Sequence, residues 1–135
     1  MEVSVFCTEI VELHQFFQDW FNAVLPKTPE AFGRMSRVMG EEFTIVMPQG
    51  RRMEREPLLN RVFELHGGRP GVRIWIENVR TLVEEGPLAV VEYEEWQEEG
   101  GQTTSRYSTA VFRRQADTPN GLSWVRVHET WFTRE

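Results

Sequence analysis

Glu95 and Arg106 carry more chemistry than any other pair of residues in this 135-residue chain, provided that they meet. Gly100 and Gly101 separate two stretches rich in Val, Thr and aromatic residues, and two glycines supply the positive backbone angles of a primed hairpin turn. With a two-residue loop there, Glu99 faces Gln102, and the register sets Glu95 opposite Arg106, Tyr93 opposite Ser108, Val91 opposite Ala110 and Ala89 opposite Phe112. One face of the hairpin therefore grades from apolar to charged. On that face Arg106 can hold a carboxylate ligand in bidentate fashion, and Glu95 can act as a base if a pocket raises its pKa. The competing reading is a solvent-exposed cross-strand pair near a hairpin tip. Tyr93 and Ser108 lie deeper, where their hydroxyls can orient a polar ligand.

The segment from His128 to Phe132 approaches the zinc motif H-E-x-x-H and misses it. Its last position is Phe132, and its alternation is that of a strand, whereas the motif needs a helix to bring two histidines to one face. No metal site is expected. As a strand residue, His128 is expected to face inward alongside Arg126 or Thr130, as a pocket wall or a proton donor and acceptor. His128, Glu95 and Tyr93 are thus the candidate catalytic residues. Trp20, Phe43, Trp75, Tyr93, Arg106, Ser108, Phe112, Arg126 and His128 are the candidate ligand contacts. For Trp20, Phe43, Trp75 and Phe112 the alternative is simple core packing. His14 and His66 are read as helix-surface and helix-end residues, and Cys7 as an unactivated thiol.

Composition removes other chemistries. Lys27 is the one lysine, placed in a connection between Pro26 and Thr28, so Schiff-base catalysis has no buried amine to use. A lone cysteine forbids an internal disulfide and fits a cytoplasmic setting. A net charge of −6 argues against a nucleic-acid or anionic-membrane partner, and the cluster Arg51, Arg52 and Arg55 is interrupted by Glu54 and reads as a solvated helix start. No glycine-rich phosphate loop or Gly-x-Ser-x-Gly element is present, and no cofactor is expected.

Apolar spacing sets the framework on which these residues are carried. Ile10, Leu13, Phe17, Trp20, Phe21 and Val24 predict a helix from Thr8, its N-cap, to Leu25. A second helix is expected from Pro29 to Met39, a short strand over Phe43–Met47, and a third helix through Leu59, Val62, Phe63 and His66. Four long antiparallel strands complete the chain: Val72–Val83, Leu88–Gln97, Thr103–Arg114 and Leu122–Phe132. No linker or repeat divides the chain, so one domain spanning 1–135 is expected.

This order, together with the stretches Leu13–Asn22, Phe43–Gly50 and Trp124–Trp131, resembles the nuclear transport factor 2-like superfamily, and within it a small uncharacterised bacterial family. The superfamily includes SnoaL-like cyclases and ketosteroid isomerase. The resemblance implies an α+β cone, a curved antiparallel sheet wrapped around a long N-terminal helix, with a small-molecule pocket in its mouth. It also implies a homodimer formed through the sheet. The pocket aspartate of the superfamily's enzymes has no counterpart, because the two aspartates, Asp19 and Asp117, fall in the first helix and in a turn. Three functions remain open: a small-molecule-binding protein, a cofactor-free lyase, isomerase or cyclase using Glu95 or His128 for proton transfer, and a homodimerisation module without ligand.

Overall fold

A computed structural model describes residues 4–132. Helix α1 covers Val5–Phe21, α2 Pro29–Ser36 and α3 Arg55–Glu64; strands are β1 Met39–Val46, β2 Arg52–Glu54, β3 Arg73–Glu85, β4 Leu88–Glu99, β5 Gln102–Arg114 and β6 Leu122–Trp131. Among the described residues, no helix is long and apolar enough to cross a membrane. The strands form one sheet in the order β2-β1-β6-β5-β4-β3. All neighbours are antiparallel except β1 and β6, which run parallel.

Several boundaries differ from those expected. The N-cap of α1 is Ser4, whose side chain accepts from the Cys7 amide at 3.0 Å, so the helix starts earlier than Thr8 and ends at Phe21, before Leu25. Helix α2 stops at Ser36, and Met39 opens β1 instead of closing a helix. The arginine cluster contains a short strand, β2, because Arg52 to Glu54 pair with the end of β1. Three residues carry too little periodicity to announce a strand.

The hairpin register is as expected, with Glu95 facing Arg106 and Tyr93 facing Ser108 along the whole of β4 and β5. Gly100 and Gly101 have φ of +60° and +81°, the pair of positive angles that a two-residue primed turn requires. Replacing Gly101 by Val forces a β-branched residue into that region. We expect a loss of about 1–2 kcal/mol, measured by urea unfolding.

Irregularities bend the sheet into a cone. Register shifts interrupt the β3–β4 ladder between Glu77 and Arg80 and between Thr81 and Val83. A third leaves Val125 without a partner on β5, since Val111 pairs with Arg126 and Phe112 with Trp124. Bulges of this kind increase local twist and re-aim the side chains beyond them. The concave face receives α1, which buries Phe6, Ile10, Leu13, Phe16, Trp20 and Phe21. At the base of α1, Trp20 stacks on Phe16 and packs against the tilted rings of Phe32 and Phe63, and its indole N–H donates to the Val62 carbonyl at 2.8 Å. That bond satisfies the one polar atom of a fully buried indole and ties α3 to α1.

Candidate functional site

A cavity of about 310 Å³ opens between α1, α3 and the concave face of the sheet. Its walls are mostly apolar, with Phe17, Met35, Phe43, Ile45, Leu58 and Val62 among the lining residues. One wall is polar. Strand β4 presents Tyr93, Glu95 and Gln97 at alternate positions, β5 adds Arg106, β6 adds Glu129 and Trp131, and α1 adds His14.

These groups form two linked pairs. His14 Nδ1 lies 2.7 Å from the Ile10 carbonyl and Nε2 lies 3.1 Å from Glu95 Oε1. Both ring nitrogens thus face acceptors, and only the imidazolium donates from both. Burial by itself lowers the His14 pKa, but the Glu95 charge and its hydrogen bond outweigh burial and raise it. Glu95 is governed by the same pair: burial raises its pKa, yet His14, Arg106 and a 2.6 Å bond from Gln97 Nε2 bring it down to about 2. Gln97 is held in turn by Arg69, whose Nη2 donates to its Oε1 at 2.8 Å.

The second pair is looser. Arg106 Nη1 donates to Glu129 Oε1 at 3.3 Å and Ser108 Oγ to Oε2 at 3.5 Å. Trp131, half exposed at the cavity mouth, lies against the guanidinium, 4.8 Å from ring centre to Cζ. Burial, and after it the Glu95 charge, push the Glu129 carboxyl up to about 7, with Arg106 only partly compensating. Tyr93, fully enclosed, is pushed well above the usual phenol range by burial and by Glu95. One wall therefore holds two carboxyls displaced in opposite directions.

The candidate residues divide between the two faces of the sheet. Phe43, Tyr93, Glu95 and Arg106 line the cavity, and Ser108 sits fully buried behind Glu129. Arg106 faces Glu95 across the ladder, but its side chain turns to Glu129. Neither Glu95 nor Arg106 belongs to an exposed tip pair, and Glu95 moves opposite to a base with raised pKa. Trp20 and Phe112 are fully buried and pack the core, Phe112 against Phe6 and Trp124. Trp75 lies on the convex face, stacked on Trp96 at 6.2 Å. Arg126 and His128 also lie there, Arg126 donating to Thr44 Oγ1 at 2.8 Å and His128 exposed.

The β6 bulge explains that reversal. Counting by twos from the buried Trp124 sends Arg126, His128 and Thr130 inward. The extra residue Val125 shifts the phase, so Val127, Glu129 and Trp131 face the cavity. Two apolar phases in one strand, Leu122 with Trp124 and then Val127 with Trp131, were the signal for it. His14, expected on the helix surface, is buried, on the face it shares with Ile10, Phe17 and Phe21 at spacings of four, three and four.

Known proteins share this architecture. The chain is similar to an NTF-2 like protein of unknown function from Pseudomonas aeruginosa, 25% identical, with 96% of this chain and 100% of that one covered at a TM-score of 0.86. The association domain of C. elegans CaMKII is 19% identical, with 92% and 94% covered at a TM-score of 0.62. These likenesses show the nuclear transport factor 2-like cone fold. Sucrose-phosphatase 1 of Nicotiana tabacum is 25% identical over 134 residues, 97% of this chain but 32% of the relative. The chain thus spans about a third of the length of the curated relatives it matches. The model of the family described as sucrose-6-phosphate phosphohydrolase C-terminal matches residues 6–133, and to that family the chain belongs.

Proposed function

We propose that the chain binds a small, partly apolar molecule in the cone, with the molecule's polar end against Tyr93, Gln97 and Arg106. The observation that carries this reading is one polar wall with buried, oriented side chains in an otherwise apolar cavity of about 310 Å³. The phosphatase activity in the name of the tobacco relatives is assigned to proteins about three times as long, and Phe and Met walls favour a less polar molecule than a sugar phosphate. Octanamide and phenylacetamide serve as neutral probes. At a hundredfold excess over Kd, binding adds about 2.7 kcal/mol to stability, read as a raised Tm. Ile45→Trp fills part of the cavity and is expected to remove that rise. An unchanged Tm with every neutral and acidic amphipath tried sinks the reading.

Proton transfer is a second reading, favoured by the opposed displacement of the Glu95 and Glu129 carboxyls. In it Glu129, close to neutral pH, takes the role expected of Glu95 or His128, and Tyr93 polarises an oxygen. Self-association as a homodimer through the sheet completes the proposal. Its support is the convex aromatic surface of Trp75, Trp96 and the half-exposed Tyr107, and the likeness to an association domain. Light scattering on the purified protein, with Tyr107→Glu as the disrupting variant, reports it.

A further inference from the structure

Arg106 is under-used. A guanidinium has five N–H donors, and among the described residues one of them reaches an acceptor, Glu129 Oε1 at a long 3.3 Å. Its Nε is buried with no partner among those residues, an uncommon and costly state for a charged donor. The face of the group is covered by Trp131, and the side chain lines the cavity with 16% of its surface exposed. Glu129 is held no better, by contacts of 3.3 and 3.5 Å against 3.1 and 2.6 Å for Glu95.

Building on the small-molecule reading above, we propose that the occupant is an amphipathic carboxylate whose head group replaces Glu129 at Arg106, while Glu129 takes up a proton from solvent. The charge balance among the groups that touch Glu95 and Glu129 favours the exchange. With His14 protonated, it and Arg106 balance Glu95 and Glu129, and the four groups are together neutral when both carboxyls are ionised. A third carboxylate beside these four groups would leave them with a net negative charge against largely apolar walls, a cost removed by protonating the carboxyl with the weakest hydrogen bonds. Around Glu129 stand Arg106 from β5, Tyr93 and Glu95 from β4 and His14 from α1. Strand β1 lines the cavity with the apolar Met39, Phe43 and Ile45, α3 contributes one charged residue, Arg61, and Arg69 is engaged by Gln97 and Glu99. Burial has already raised the Glu129 pKa, which makes it the group that accepts the proton. The freed guanidinium then offers two parallel donors to the ligand, a geometry that matches a carboxylate.

Isothermal titration calorimetry with octanoate and octanamide tests this in two buffers of different ionisation enthalpy. At about pH 8 octanoate is expected to bind at least about tenfold more tightly than octanamide, with uptake of close to one proton, and at about pH 5.5 the uptake is expected to vanish. Glu129→Gln is expected to retain octanoate binding and abolish the uptake. Arg106→Gln is expected to erase the preference for octanoate. If octanamide binds as well as octanoate, or octanoate binds at pH 8 without proton uptake, the carboxylate exchange is wrong and the small-molecule reading stands. If neither binds and no neutral probe raises the Tm, both are wrong.

Discussion

Glu9→Ala is expected to destabilise the protein by about 3–5 kcal/mol, the typical cost of breaking a buried ion pair from one side. The Glu9 carboxylate is wholly inaccessible. Arg34 donates to both of its oxygens, at 2.8 and 3.2 Å, while Asn120 Nδ2 and Trp124 Nε1 each donate at 2.9 Å. Four donors from α2, the β5–β6 turn and β6 thus converge on one side chain of α1. Removing it takes the acceptor from a fully buried indole N–H, strips Arg34 of its closest partner, and unpins α2 from the sheet. A domain of this size has about 5–15 kcal/mol in total, so the variant sits near the edge of folding. Chemical denaturation at neutral pH measures the loss. A loss below about 1 kcal/mol means that the converging bonds do not hold the fold together.

Glu129→Gln is expected to do the opposite at alkaline pH. In the native state the Glu129 carboxyl titrates at about 7, against 4.5 in the absence of burial and of Glu95. Between these values the native state holds a proton that the unfolded state has released, so the contribution of Glu129 to stability falls as pH rises from 4.5 to 7. Above that window the native protein carries a buried carboxylate at a cost of up to about 3 kcal/mol, since each unit is worth about 1.4 kcal/mol. The amide is neutral at every pH and can still accept from Arg106. The variant is therefore expected to be more stable than the parent at about pH 8, with the difference shrinking to near zero at about pH 4.5. Glu95 has the reverse sign: its carboxyl lies at about 2 in the native state, so its stabilisation is present above 4.5 and is lost as pH falls toward 2. Urea unfolding across the pH range separates the two. A constant difference between parent and Glu129→Gln contradicts the burial account of Glu129.

Much of this arrangement was legible in the residues, and the failures have a common physical source. The Gly100-Gly101 turn fixed the whole β4–β5 register, and with it the inward-facing column Tyr93, Glu95 and Gln97, because a two-residue loop admits one pairing. Local rules suffice where a turn dictates how its two strands pair. They failed on β6, where one unpaired residue, Val125, reversed every later side chain and exchanged His128 for Glu129. They failed again for Trp75, because alternation divides β3 between two faces without saying which is concave. His14 and Glu9 share a cause: polar residues on a buried helical stripe are intelligible only once the partners that satisfy them are known. Those partners, Glu95 for the one and Arg34, Asn120 and Trp124 for the other, lie far away along the chain.

Methionine-methyl NMR reports directly whether a small molecule occupies the cone. Met35, Met39 and Met47 line the cavity, whereas Met53 in β2 does not. Titration of octanamide into methyl-labelled protein is expected to shift and saturate the Met35, Met39 and Met47 signals together while leaving Met53 in place. Signals that stay unmoved at millimolar octanamide and octanoate, or a shift confined to Met53, would contradict a ligand-binding cone.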